Sequence, residues 1–292
     1  MGAVQFRRQV STFSIVARDP HTGELGVAVQ SKFLAVGSLV PWARAGVGAI
    51  ATQAACNAAY GPQGLQLLAM GWSGPEALQH MTAMDSEAGQ RQALVVDTAG
   101  RAAAFTGQQC YDWAGHVVGD GYACAGNILV GRETVDAMAR AFESTSGRLA
   151  ERLVAALAAG QAAGGDRRGQ QAAAVLVVRT AGGYMGRTDR AVDLRVDDHP
   201  QPIAELQRLL QLHHLYSQSV PEDLTPLTEE AVRDVQSILR QAGLHAGEIT
   251  GRLDDASRRA LQDLYNMENL EDRWHDQMID RVALGYLRDK FL

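Results

Sequence analysis

Residues 12–17, T-F-S-I-V-A, put Phe13 and Ile15 on one face of an extended segment. Residues 25–31, L-G-V-A-V-Q-S, form a second extended run, and D-P-H-T-G-E (19–24) between them has the Pro and Gly of a chain reversal. The two runs predict a β-hairpin, and the rest of the chain organises around it. A third buried strand is expected at 46–52. A helix follows with Pro62 in its first turn and Leu65, Leu68 and Ala69 on one face; a second starts at Ser73 or Gly74, has Pro75 near its first turn, and ends at Met84. Strands at 93–96 and 101–105 flank the turn D-T-A-G, and 107–126 reads as a glycine-rich aromatic loop. Two more helices carry Val135, Met138 and Phe142, then Leu149, Leu153 and Leu157. Strands at 172–178 and 193–196 and a helix at 202–216 complete the series.

This order is strands, two helices, strands, two helices, strands. Helices segregated from hairpin-joined strands predict antiparallel sheets covered by helices, an α+β fold. A doubly wound parallel sheet would alternate single strands with single helices. Beyond a polar linker at 217–225 with Pro221, three helices are expected at 227–242, from a cap at Asp254 or Asp255, and at 272–290. The expected domains are therefore 1–216 and 226–292.

Composition narrows the function. The chain has 292 residues, 46% hydrophobic and 21% charged, with a formal net charge of −6. That balance argues against nucleic acid as a partner, and no apolar run is long enough to span a membrane. Three cysteines at wide spacing, Cys56, Cys110 and Cys124, make no disulfide framework and fit a reducing compartment. The start lacks the apolar core of a signal peptide, so the cytoplasm is expected. The basic residues are nearly all arginine, Lys32 and Lys290 being the exceptions. No phosphate-binding glycine motif and no H-E-x-x-H zinc motif occurs. Asp197-Asp198-His199 reads as helix capping rather than as a metal site. No cofactor is expected.

A Thr or Ser with a free α-amine can act as nucleophile and base in one residue, because the amine, with a pKa near 8, accepts the hydroxyl proton. Thr12 opens the first core strand. The blocks T-F-S-I-V-A-R-D (12–19), G-V-A-V-Q-S-K-F-L-A-V-G (26–37), V-P-W-A-R-A-G-V-G-A-I-A-T-Q-A (40–54), A-G-G-D-R-R-G (163–169) and D-L-R-V-D-D-H-P (193–200) resemble a bacterial and archaeal family, domain of unknown function ten-twenty-eight. The resemblance covers about residues 12–216. It implies membership of the N-terminal-nucleophile hydrolase superfamily and a four-layer αββα sandwich.

Carried over residue by residue, the resemblance makes Thr12 the candidate nucleophile. Lys32 becomes the cation that keeps the amine neutral and Asp19 the carboxylate that holds Lys32. Ser31, Asn57 and Asn127 are polar groups in motif-like segments able to donate to a developing oxyanion, Asn127 being the preferred donor, and Asp166 and Arg167 lie in a Gly-rich loop able to approach the site. Each has a plainer reading: Thr12 as a β-branched strand residue, Lys32 as a solvated strand end, Asp19 as a turn former, Asp166 as a loop anchor. Eleven residues precede Thr12. A free amine there requires their removal or a later start; a start at Val10 would expose Ser11 instead.

Residues 232–265, with Gln236, Gly243, Gly247, Gly251 and Ala260, resemble a domain type named for peptidoglycan binding. A three-helix bundle also suits dimerisation or docking. The expected function is hydrolysis of a small amide or peptide, including peptidoglycan fragments, by a homo-oligomer. The alternative is a non-catalytic binding or assembly protein on the same fold.

Overall fold

The structure is a computed structural model and describes residues 12–217, 221–244 and 247–292. The chain divides into two compact units, Met1–Leu210 and Gln211–Leu292.

In the first unit, β1 (Thr12–Arg18) and β2 (Leu25–Ser31) form the expected antiparallel hairpin, with Thr12 opposite Ser31 and Arg18 opposite Leu25. β3 (Pro41–Arg44) and β4 (Gly48–Ala54) follow, then α1 (Tyr60–Ala69) and α2 (Gly74–Met84), β5 (Arg91–Asp97), β6 (Ala102–Thr106), β7 (Gly115–Gly119) and β8 (Tyr122–Asn127). Next come α3 (Glu133–Ser144), α4 (Leu149–Ala162), β9 (Ala172–Val178), β10 (Arg190–Val196) and α5 (Pro202–Leu215). One sheet has the order β10-β9-β2-β1-β8-β7 and the other β3-β4-β5-β6, and every pairing in them is antiparallel.

Side-chain alternation assembles the layers. Phe13, Ile15 and Ala17 of β1 face one way and pack with Met138, Phe142, Leu153 and Leu157 of α3 and α4. Val16, Val27, Val29, Ala123 and Ala125 face the other way, toward Ala49, Ala51, Leu94 and Val96 of the second sheet. That sheet turns Ile50, Ala93 and Val95 outward onto Tyr60, Leu68, Leu78 and Met81 of α1 and α2. The result is the four-layer αββα sandwich.

Residues 115–127 depart from the reading of 107–126 as loop. They form the β7–β8 hairpin, and β8 is an inner strand beside β1. Its sequence, Y-A-C-A-G-N, lacks the branched residues that mark a strand because neighbours crowd it on both faces. A Cβ on Gly126 would lie 2.4 Å from Leu129 Cδ1.

α2 starts at the expected place with proline in its first turn; the structure adds a reciprocal cap, in which the Ser73 side chain accepts from Glu76 N and the Glu76 carboxylate accepts from Ser73 N at 2.8 Å. Asp97 ties this start to the sheet, accepting from the amides of Gly74 (2.9 Å), Ala99 (2.9 Å) and Arg101 (3.0 Å) and from Arg101 Nε (2.7 Å). Burial raises its pKa, but these donors outweigh burial and hold it below the ordinary 3.8. Asp19 and Asp85 are lowered by the same balance of burial against donated hydrogen bonds, whereas burial lifts Glu24. A carboxylate lowered in the folded state binds fewer protons there than when unfolded, so its stabilisation is present above the unfolded pKa and is lost as pH falls through the folded one. The thermal midpoint of the first unit is expected to hold from about pH 7 to 5 and to drop steeply below about pH 4. Asp97→Asn should flatten that drop. A midpoint that rises on acidification contradicts this account.

The second unit begins with the last turn of α5, where Leu212 and Leu215 join its core. It contains β11 (Leu224–Pro226), α6 (Glu229–Gln241), α7 (Asp255–Met267), β12 (Met278–Asp280) and α8 (Arg281–Phe291). Thr228 and Asp254 cap α6 and α7 by accepting from Ala231 N and Ser257 N. Residues 221–226, which overlap the stretch 217–225 read as linker, form a 3-10 turn and the strand β11. The single helix expected at 272–290 is instead a 3-10 turn (Glu271–Arg273), β12 and α8, because Met278–Asp280 pairs with Leu224–Pro226. Among the described residues no helix is long and apolar enough to cross a membrane.

Candidate functional site

One end of the space between the two sheets is polar. Thr12 and Ser14 share the inner face of β1 with Val16, and β-pairing sets Thr12 directly between Ser31 of β2 and Asn127 of β8. All four polar residues are fully buried. Thr12 Oγ1 donates to Ser31 Oγ at 3.3 Å. From the opposite sheet Gln53 and Gln92 enter the same space. Ser14 Oγ donates to Gln53 Oε1 at 2.6 Å, and Gln53 Nε2 donates to Gln92 Oε1 at 2.8 Å. Gln92 Oε1 also accepts from Asn127 Nδ2 at 3.0 Å. Gln92 Nε2 is shared among Gly126 O (2.8 Å), Thr106 Oγ1 (3.0 Å) and Gly115 O (3.2 Å). Thr106 Oγ1 lies 2.8 Å from His116 Nδ1, and partial burial lowers the pKa of that imidazole.

The sequence reading therefore assembled Thr12, Ser31 and Asn127 but missed Ser14, Gln53, Gln92, Thr106 and His116. The available signal was a glutamine within each of two strands rich in small and branched apolar residues, G-A-I-A-T-Q-A at 48–54 and R-Q-A-L-V-V-D at 91–97. An amide at an inward strand position needs partners across the sandwich.

Gln92 locks the Asn127 amide in orientation. Gln92→Met removes the acceptor of two buried N–H groups and the donor to two carbonyls. Each buried group left without a partner costs about 1–3 kcal/mol. Urea unfolding should show a loss of at least about 2 kcal/mol, and an unchanged midpoint would mean that the network holds nothing.

The loop 164–171 closes this end of the sheet. Asp166 is buried, and its Oδ2 accepts from Lys32 N at 3.0 Å. Its Oδ1 accepts from Arg168 N at 2.8 Å, and Arg168 NH2 pairs with Oδ2 at 3.2 Å. Arg167 N donates to Ile128 O at 3.0 Å, beside Asn127. Asp166 and Arg167 thus belong to the surroundings of Thr12.

Three expectations need correction. Lys32 follows Thr12's partner Ser31, but its exposed Nζ donates to Gln170 O at 3.1 Å instead of aiming at Thr12. Asp19 does not hold Lys32. It sits in the β1–β2 turn, accepting from His21 N (2.8 Å) and Thr22 N (3.0 Å), with Arg152 at 3.6 Å. An antiparallel hairpin puts its turn a strand's length, about 20 Å, from its open end. Asn57 joins another cluster, donating to Asp85 Oδ2 at 3.2 Å alongside Tyr60 OH (3.0 Å) and Arg91 Nε (2.9 Å). That cluster borders a cleft of 530 Å³ whose lining includes Met70, Met81 and Met84 of the α1–α2 layer. Ser11 lies outside the described residues. Among the described residues, no three His, Cys, Asp or Glu side chains converge as a metal ion would require.

The fold and site define an αββα sandwich with a buried threonine at the polar end of its inter-sheet layer. The chain belongs to the family of unknown function DUF1028, whose model matches residues 12–206. A second model, described as "Putative peptidoglycan binding domain", matches residues 216–287. Protein SPO2555 from Silicibacter pomeroyi, of the same family, has a crystal structure similar to this chain. The two are 36% identical over 69% of this chain and 88% of that one, with a TM-score of 0.64. Anbu, an ancestral beta-subunit from Yersinia bercovieri, matches at 12% identity over 68% of this chain and 92% of that one, with a TM-score of 0.31. None of the curated proteins matches the chain.

Proposed function

We propose that the first unit is an amide hydrolase of the N-terminal-nucleophile type, with Thr12 as nucleophile once its α-amine is free. The carrying observation is the pairing of Thr12 between Ser31 and Asn127 at the polar end of the sandwich, with the Thr12 hydroxyl donating to Ser31 Oγ. In this reading the α-amine takes the proton of Thr12 Oγ1 as the oxygen adds to the amide carbonyl. Asn127 Nδ2, held by Gln92, donates to the developing oxyanion. Collapse breaks the C–N bond, and the ammonium returns its proton to the leaving nitrogen. Water then adds to the resulting ester and releases the acid, and Oγ1 recovers its proton. Ser31 orients the Thr12 hydroxyl. The amine itself is the base, since Lys32 Nζ is engaged by Gln170.

Peptidoglycan-derived peptides are the proposed substrates, on the strength of the domain matched at 216–287. A cytoplasmic homo-oligomer acting on such fragments fits this reading, and light scattering checks the association. The test of activity compares the full chain with a chain beginning at Thr12 against a panel of amides and short peptides. Mass analysis of the N-terminus accompanies it. Turnover only when the Thr12 amine is free supports the reading, and inactivity of both forms on the panel contradicts it. A second reading, a binding protein on the same fold, is favoured by the Lys32–Gln170 contact, which engages Nζ with a main-chain carbonyl.

A further inference from the structure

Two cations border Thr12's end of the sheet, and both rest on main-chain carbonyls. Lys32 Nζ donates to Gln170 O at 3.1 Å. Arg167 NH2 donates to Asp112 O at 3.1 Å and Leu129 O at 3.2 Å, so two different loops hold its guanidinium. Among the described residues neither cation forms an ion pair, although most arginines of this acidic chain do, including neighbouring Arg168 with Asp166. The Asp166 carboxylate is already engaged by Lys32 N, Arg168 N and the Arg168 side chain, and it is buried. Asp112 turns its carbonyl to Arg167.

A guanidinium offers five N–H donors in a planar fork. Among the described residues only NH2 is anchored, and Nε and NH1 keep their donors. Carbonyl anchoring fixes the fork without neutralising it, so little side-chain entropy is lost when an anion docks. Charge-assisted, bidentate hydrogen bonds to a carboxylate are the strong use of such a fork.

We propose that the rim beside Thr12 recognises a carboxylate on the substrate, with Arg167 as its principal contact and Lys32 as the second cation. This rests on the reading of Thr12 as nucleophile and names the class of amide it would cleave: one bearing a carboxylate near the scissile bond. Arg167 is a specificity-determining residue in this scheme and takes no part in bond making.

Calorimetric titration of the full chain tests it with two probes, succinyl-alanine amide, which carries a carboxylate, and acetyl-alanine amide, which does not. The succinyl probe should bind at least about tenfold tighter, the size of one charge-assisted hydrogen bond. The preference should fall to near unity in Arg167→Gln, fall about threefold in Lys32→Gln, and shrink with added salt. Arg167→Lys should keep part of it, and it takes over the test if Arg167→Gln loses its circular dichroism. Equal binding of the two probes, binding of neither, or a preference that survives in Arg167→Gln overturns the proposal. A carboxylate preference that depends on Arg167, in a protein that turns over no amide, leaves the anion site standing and removes the hydrolase. Turnover without such preference does the reverse.

Discussion

Thr12→Ala, in a chain beginning at residue 12, is expected to lower amide turnover by about 10⁴-fold or more, the scale seen when a nucleophile is deleted from a group that acts as a unit. Thr12→Ser should retain activity, because the hydroxyl and the α-amine both remain. The loss should fall on kcat and leave substrate binding nearly intact, since Oγ1 gains its bond to the substrate only as the reaction proceeds. kcat/KM should climb with pH and level off as the α-amine, with an ordinary pKa of about 8, becomes neutral. Folding is not expected to limit the test. Thr12 Oγ1 donates to Ser31 Oγ at 3.3 Å, and the loss of such a bond costs about 1 kcal/mol. Circular dichroism and urea unfolding check that point. Full activity in Thr12→Ala would remove Thr12 from the chemistry and, with it, the assignment of Asn127 as oxyanion donor.

Arg273→Met should cost the second unit about 3–5 kcal/mol, because it strips a buried cation from carboxylates that stay buried. Arg273 is 1% exposed, and its NH1 donates to Asp280 Oδ2 at 2.7 Å and to Asp223 Oδ2 at 3.4 Å. Nε donates to Leu215 O at 2.7 Å and NH2 to His214 O, so the same guanidinium closes the last turn of α5. Asp280 in turn caps α8 through the amides of Val282 (2.8 Å) and Ala283 (2.9 Å). One side chain thus ties together α5, the turn before β11 and the start of α8. Trp274 reports on the change, standing edge-on to Tyr265 with ring centroids 5.7 Å apart. Fluorotryptophan labelling separates its NMR signal from those of the other three tryptophans. In Arg273→Met that signal should reach its unfolded position at clearly lower urea than in the parent chain. Replacing Asp223 and Asp280 by Asn in the same variant should recover part of the loss, since a neutral group costs less to bury than a lone charge. An unchanged Trp274 transition in Arg273→Met would show the cluster to be without weight.

How far the site could be read depended on which contacts are local. Thr12 and Ser31 stand at the open end of the expected hairpin, whose register brings them together, whereas Asn127 ends a strand, β8, that the sequence pattern does not mark. Asp19 and Lys32 are close in sequence, yet the same hairpin separates them, because a turn and an open end lie at opposite ends of a strand. Gln53 and Gln92 look unremarkable within their own strands. Their role exists only across the sandwich, where each meets a partner from the facing sheet.

What the sequence by itself determined is the set of elements whose signals are local. The β1–β2 hairpin follows from alternation around a Pro-Gly turn, α2 from Ser73 and Pro75, and α7 from its Asp254 cap. The strand-and-helix order was enough to imply antiparallel sheets under helices. Tertiary structure alone decided the rest. Residues 122–127 become an inner strand because β1 and β7 pair with them on either side, and their small side chains suit that crowding rather than any intrinsic preference. Met278–Asp280 leaves a helical pattern because the distant Leu224–Pro226 offers it a ladder. The polar end of the inter-sheet layer arises only when two sheets stack, since a buried amide or hydroxyl is placed by the partner that satisfies it, and that partner lies elsewhere in the chain.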